Sequence, residues 1–218
     1  MAKEIYLLSP VIHKGTISLP MIEFSLTASS LDLSTYDLLM FTSKQAVKSA
    51  DILNPRWKEI PCLSIGSATT KQIEALGGTV AYQPTSFYGK VLSQEILMRF
   101  KDKHIVYLRP KEVSFDSKSF LASEGIILDE KVIYETRCKD YPSSAQPPKN
   151  AIIIFTSPST IQCFLKHFRW DSSYTAVVIG DATKAHLPKD VNVIVSDKPL
   201  IEACVTKARE ILLSSNSK

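Results

Sequence analysis

Apolar residues in this chain come in short runs rich in β-branched side chains, separated by longer stretches of mixed character. Runs at 5–8, 38–41, 62–65, 80–82, 105–108, 152–155, 176–179 and 193–195 read as strands. Amphipathic stretches of about ten residues follow most of them, the last over 200–213. Strands alternating with helices in this way build parallel sheets covered by helices. An α/β fold is predicted.

Two blocks of the chain resemble each other. Phe41-Thr42-Ser43-Lys44-Gln45-Ala46-Val47 matches Phe155-Thr156-Ser157-Pro158-Ser159-Thr160-Ile161, with Phe155 114 positions after Phe41. Ile65-Gly66-Ser67-Ala68-Thr69 matches Ile179-Gly180-Asp181-Ala182-Thr183, again 114 positions apart. A repeat that keeps its internal spacing implies a repeated structural unit, so two similar domains are expected. Segments 26–35 and 141–148, rich in Ser, Thr and Pro, read as connectors. Two crossings between the domains would make one of them discontinuous.

The turns after the strands carry the candidate chemistry. Where a parallel strand ends and a Ser or Thr begins a helix, the hydroxyl caps first-turn amides. The remaining amides and the positive helix end suit a carboxylate or phosphate. Four such turns occur, at Ser43, at Ser67 with Thr69, at Ser157 with Ser159, and at Thr183. Taken singly, each hydroxyl is a helix cap first and a ligand second; their paired occurrence favours the functional reading. Arg109 follows the 105–108 strand at its carboxyl end, where ligands collect in α/β sheets, although Glu112 nearby offers it an ordinary ion pair. Tyr134 ends an extended run, Val132-Ile133-Tyr134, close to the second crossing.

Composition narrows the classes. Hydrophobic residues at 44% and charged residues at 22% are the balance of a globular protein. The longest apolar run, 151–155, is far too short for a membrane span. The start, Met1-Ala2-Lys3-Glu4 and then 5–8, is too short for a secretory signal, so a cytoplasmic protein is expected. Cys62, Cys138, Cys163 and Cys204 show no C-x-x-C spacing, which predicts buried free thiols and neither a zinc site nor a disulfide framework. The histidines are isolated, so no metal is expected. No Walker A, dinucleotide or nucleophile-elbow motif occurs, and seven glycines make a nucleotide cradle implausible. The net charge of +4 is spread along the chain. It suits a small polyanion as well as a nucleic acid, and no basic-aromatic motif supports the latter.

The order Phe-Thr-Ser-x-x-Ala-Val (41–47), Ile-Gly-x-x-Thr (65–69), Tyr-Leu-Arg (107–109), Val-Ile-Tyr-Glu-Thr (132–136), Ile-Phe-Thr-Ser-Pro-Ser (154–159) and Val-Ile-Gly-x-x-Thr (178–183) resembles the uroporphyrinogen-III synthase family, from about residue 37 to the end. The resemblance implies two similar three-layer α/β domains with parallel sheets, joined by a two-stranded linker, with the active site in the cleft between them. The first, discontinuous domain would be 1–24 plus 137–218, the second 36–131, with linkers at 25–35 and 132–136.

It further implies a cofactor-free, monomeric, cytoplasmic lyase of porphyrin and haem biosynthesis. Its substrate is hydroxymethylbilane, a linear tetrapyrrole with eight carboxylates, and no nucleic acid or membrane partner is implied. Loss of the substrate hydroxyl as water leaves an azafulvene cation that attacks the substituted carbon of ring D, forms a spiro intermediate and rearranges with inversion of that ring. Tyr134 matches the family's implicated tyrosine and would donate the proton to the departing hydroxyl. Ser43, Ser67, Thr69, Arg109, Ser157, Ser159 and Thr183 would bind substrate. The chain departs from the family where only nine residues separate Pro10 from Pro20, too few for the usual helix. Pro110 stands where glycine is common, and Asp181 puts a negative charge at a turn expected to meet carboxylates. The alternative is a two-lobed module that binds a carboxylated ligand without chemistry.

Overall fold

A computed structural model describes residues 3–86 and 88–216, so the first two residues of the N-terminal segment lie outside the described residues. The chain divides into two compact units, Met1–Glu23 with Arg137–Lys218 (unit 1) and Phe24–Thr136 (unit 2). Unit 1 begins with β1 (Ile5–Leu7) and β2 (Ile17–Ser18), and β3 (Ile22–Leu26) crosses the boundary. Within unit 2 follow β4 (Leu38–Phe41), α1 (Lys44–Leu53), β5 (Cys62–Ser64), α2 (Ser67–Ala75) and β6 (Val80–Tyr82). Next come α3 (Gly89–Arg99), β7 (Ile105–Pro110), α4 (Ser117–Ser123) and β8 (Leu128–Cys138), which carries the chain back into unit 1. Unit 1 is completed by β9 (Ile152–Phe155), α5 (Pro158–His167), β10 (Thr175–Val178), α6 (Asp181–Lys184), β11 (Asn192–Val195) and α7 (Ile201–Asn216).

Each of the eight predicted strands is present, and each unit holds one sheet. In unit 1 the order is β11-β10-β9-β1-β2, and in unit 2 it is β3-β8-β7-β4-β5-β6. Pairing is parallel between β2, β1, β9, β10 and β11 in turn, and likewise between β8, β7, β4, β5 and β6. The central strands β4, β9 and β10 are buried at every position. That is why they read as unbroken apolar runs: helices cover both faces of a parallel sheet. The elements that the strand reading missed are the two-residue β2, β3 and the first half of β8, all mixed in polarity, as in Leu128-Asp129-Glu130-Lys131.

Both sheets are the middle of three layers. In unit 2, Leu39, Phe41, Val106 and Leu108 pack on one face against Val47 and Ala50 of α1, Ile73 of α2 and the buried Trp57. Leu38, Met40, Ile105 and Tyr107 pack on the other face against Leu92 and Ile96 of α3 and Leu121 of α4. In unit 1, Ile153, Phe155, Ala176 and Val178 meet Ile161 and Phe164 of α5. On its opposite face Leu7, Ile152, Ile154 and Val177 meet Cys204, Val205 and Ala208 of α7. Each Val, Leu, Ile, Met or Phe among them, fully withdrawn from water, contributes about 1.5–3 kcal/mol.

The repeat survives in the backbone. α1 and α5 are both ten residues long and begin 114 positions apart, after β4 and β9, which end in Phe41 and Phe155. β1 stands beside β9 where β7 stands beside β4, so the start of the chain supplies the strand that the second copy lacks. The segments expected as linkers fall inside unit 2. Leu31 and Leu33 of the first are buried in its core, and 132–136 is the middle of β8.

No helix forms between Pro10 and Pro20, as the short spacing predicts. The loop there is pinned to α7 instead. His13 Nε2 lies 2.6 Å from Glu202 Oε2, and Arg209 Nη2 donates to the Lys14 carbonyl at 2.6 Å. Arg209 passes so close to Gly15 that a Cβ there would lie 2.8 Å from Nη2. Bonding to Glu202 raises the His13 pKa, so this tie is held at lower pH and weakens as pH rises through the raised value.

The cysteine expectation needs correction. Cys138, the last residue of β8, forms a disulfide with Cys163 of α5, their Cα atoms 5.2 Å apart. Their separation of 25 residues carries no sequence signature; what brings them together is the packing of α5 over the point where β8 enters unit 1. Cys62 and Cys204 are free and buried, and burial pushes the Cys62 thiol up to about 12. Among the described residues no cluster of three His, Cys, Asp or Glu could hold a metal, and no helix is long and apolar enough to cross a membrane. Thiol titration should therefore find two reactive cysteines in denatured, unreduced protein and four after reduction, with Cys62 silent to alkylation at pH 8 in the native state. Four thiols before reduction would disprove the disulfide.

Candidate functional site

The parallel pairing of unit 2 gathers the carboxyl ends of β4, β5 and β7 at one edge of the sheet. Directly after β4, Ser43 adopts an extended conformation and caps α1, its Oγ accepting from the Ala46 amide at 3.0 Å. The same Oγ lies 2.8 Å from the phenol oxygen of Tyr134. The preceding residue repeats the arrangement, with Thr42 Oγ1 2.6 Å from the phenol oxygen of Tyr107. Consecutive residues of an extended chain point to opposite faces. The two phenols come from opposite faces of the sheet, Tyr134 from the core under α1 and Tyr107 from the core under α3. They meet at the end of β4.

Tyr134 reaches that position through an irregularity in β8. The pairing runs Arg109 to Val132 and then Pro110 to Tyr134, which leaves Ile133 as an extra residue. A bulge of this kind re-aims the side chain that follows it. Ile133 and Tyr134 are accordingly both buried in the same core, where strict alternation would send one of them outward. Burial raises the Tyr134 pKa and the Ser43 hydroxyl lowers it by less, so the phenol stays protonated through the neutral range. Tyr107 is raised in the same way, chiefly by burial, with Thr42 acting against it.

A cavity of about 280 Å³ opens at this edge, walled by Thr42, Ser43, Tyr107, Ile65, Gly89, Pro110 and the loop 112–115. It is part hydroxylic and part apolar, and Glu112 is the acidic residue in its wall.

The other expected site residues divide between the units. In unit 2, Ser67 is exposed at the first position of α2, Thr69 is buried one turn in, and the helix is entered through an extended Gly66. Arg109 is half-buried and engaged locally. Its Nη1 donates to the carbonyls of Pro110 and Lys111, each at 3.1 Å, and its Nε lies 3.2 Å from Glu130 Oε1 without hydrogen-bond alignment. In unit 1, Ser157 caps α5 in a reciprocal capping box with Thr160, and Ser159 sits in the first turn, half-buried. Thr183 is buried in α6, a single turn of four residues that opens with Asp181. The structure thus joins Ser43 to Tyr134 directly. Thr42 and Tyr107 escape sequence reading because one is overshadowed by the cap beside it and the other is an apolar-looking member of a buried strand.

The family model described as uroporphyrinogen-III synthase HemD matches residues 15–206. The crystal structure of uroporphyrinogen-III synthetase from Helicobacter pylori is similar over 96% of this chain and 99% of that one, at 27% identity and a TM-score of 0.81. A mutant uroporphyrinogen III synthase from the extremely thermophilic bacterium Thermus thermophilus shares the fold at 9% identity, with a TM-score of 0.57 over 98% of this chain and all of that one. Comparison with curated proteins finds no match.

Ser43 holds both a helix start and a buried phenol. Ser43→Ala should therefore cost about 1–3 kcal/mol in urea unfolding, since it removes a cap and strands the Tyr134 hydroxyl. Tyr134→Phe, which leaves the cap intact, should cost clearly less. Equal losses in the two variants would show that the cap contributes nothing.

Proposed function

Because this chain belongs to the uroporphyrinogen-III synthase family, we propose that Tyr134, oriented by Ser43, is the proton donor in its closure of hydroxymethylbilane to uroporphyrinogen III. The enzyme is a cyclising hydro-lyase of porphyrin and haem biosynthesis. The observation that carries the assignment of Tyr134 is its bond to Ser43 at 2.8 Å, made at the sheet edge where the cavity opens.

In this reading the neutral phenol donates its proton to the hydroxyl that leaves the substrate as water. The carbon it leaves becomes the electrophilic end of an azafulvene cation, the tetrapyrrole closes through ring D with inversion, and the proton released as the pyrrole is restored neutralises the phenolate. A phenol suits the step because its acid form persists without a neighbouring acid to maintain it. Most of the remaining work is positioning: a near-attack arrangement makes closure effectively unimolecular. Each tenfold gain over spontaneous closure to the symmetric isomer needs about 1.4 kcal/mol.

The substrate's eight carboxylates call for several anion seats. The first turns of α1, α2 and α5 offer free amides at the positive ends of helices of ten, nine and ten residues. We assign Ser43, Ser67 with Thr69, and Ser157 with Ser159 to these seats. Thr183 is the weakest of the expected set, because α6 is one turn long and its Asp181 opposes an anion. Arg109, turned toward Glu130 and its own carbonyls, is assigned to holding the 109–111 turn. The net charge of +4 favours encounter with a polyanion. We read the enzyme as a cytoplasmic monomer, an expectation carried over from the family.

Freshly generated hydroxymethylbilane given to the purified protein should yield the type III isomer; symmetric type I product alone would refute the activity. Tyr134→Phe should lower kcat about a hundredfold, the usual contribution of a general acid, with a much smaller change in stability. Since its folded pKa lies above the ordinary tyrosine value, the acid form is lost only as pH rises past about 10. Activity falling between pH 7 and 9 through a single ionisation would point to another donor.

A further inference from the structure

We infer that Thr42 and Tyr107 form a second hydroxyl pair, in which Thr42 contacts a carboxylate arm of the substrate in the unit 2 cavity and Tyr107 is the positioning residue behind it. The inference rests on the reading of the chain as a synthase acting on a polycarboxylate.

Both residues line the cavity, Thr42 half-buried and Tyr107 3% exposed, with their oxygens 2.6 Å apart. Two hydroxyls sharing one bond carry two protons, and the bond uses one. Either oxygen could donate in this bond; because a phenol is a far stronger acid than an alkyl alcohol, we assign Tyr107 as the donor and the Thr42 oxygen as the acceptor. The Thr42 proton is then left over. Among the described residues no acceptor is bonded to it, and Thr42 stands on the cavity wall.

Tyr107 is itself fixed. Its strand β7 is paired on both sides, Met40 with Tyr107 and Tyr107 with Glu130, and its ring sits in the core under α3. Thr42 is therefore held by a rigid partner, which lowers the entropy lost when a ligand is bound. Ser114 and Ser117 add hydroxyls across the cavity, while Ile65, Val113 and Phe115 supply apolar wall suited to the face of a pyrrole. Glu112 is exposed, so its repulsion of a carboxylate is screened by solvent.

The arrangement differs in kind from the Ser43 pair. Ser43 already accepts from the Ala46 amide as a helix cap, whereas Thr42 has no such duty. It predicts an effect on binding in place of an effect on chemistry. Steady-state kinetics of the type III reaction should show Thr42→Val raising KM about tenfold, as expected for loss of a hydrogen bond to a charged group, with kcat little changed. Tyr107→Phe should raise KM in the same direction, and Thr42→Ser, which keeps the hydroxyl, should hold the parent KM. The double variant Thr42→Val, Tyr107→Phe should be no worse than Thr42→Val alone, because the two act as one unit.

Unchanged KM in Thr42→Val overturns the inference, as does a double variant whose effect is the product of the singles. Loss of thermal stability in Tyr107→Phe without a rise in KM also overturns it, since it would mark a merely structural tyrosine. If the parent protein forms no type III isomer, the synthase reading fails and takes this inference with it. Type III product from a parent whose KM is indifferent to Thr42 removes this inference alone.

Discussion

Parallel pairing of β4 with β7, in register from Leu38 against Ile105 to Phe41 against Leu108, is the constraint on which the candidate site depends. Strands that run the same way end at the same edge, so the hydroxyls after β4 and the phenols of β7 and β8 are delivered to one line. The bulge at Ile133 then turns Tyr134 toward that line. Without the shared edge the two phenols, which belong to cores on opposite faces of the sheet, would have no common place to meet.

The two units meet the same constraint in different ways. Unit 2 makes its edge from a continuous stretch of chain, with β7 closing against β4. Unit 1 repeats the β4-α1 block as β9-α5 and borrows β1 to stand where β7 would. Their caps are alike: Ser43 and Ser157 are both extended and both accept from a first-turn amide, and Gly66 and Gly180 enter their helices with nearly the same backbone angles. The second turns differ. α2 is a full helix, whereas α6 is cut to four residues behind an aspartate, so the repeat has kept its geometry more faithfully than its capacity to hold anions.

Much of the fold was legible because burial on both faces writes a parallel strand as an apolar run, as in Leu38-Leu39-Met40-Phe41 and Ile152-Ile153-Ile154-Phe155. Where a strand is only partly covered, as in β3 or the Asp129-Glu130-Lys131 stretch of β8, the run dissolves and the strand goes unread. Local chemistry was legible on the same terms. A serine after a strand announces its cap, and the ordered motifs singled out Tyr134. Contacts made across strands were not. Nothing at Tyr107 or Cys138 signals a partner 65 residues back or 25 residues ahead, because such pairs are set by the packing of elements and leave no spacing rule in the chain.

The borrowed strand has a consequence for how the molecule is made. On a ribosome the apolar segment Ile5–Leu7 emerges well before its neighbour β9, which begins only at Ile152. At about 5–20 residues per second, that leaves many seconds in which β1 has only the two-residue β2 beside it while all of Phe24–Thr136 is already available to fold. Unit 2 can then complete before unit 1, and β1 is the segment in need of shelter until β9 arrives.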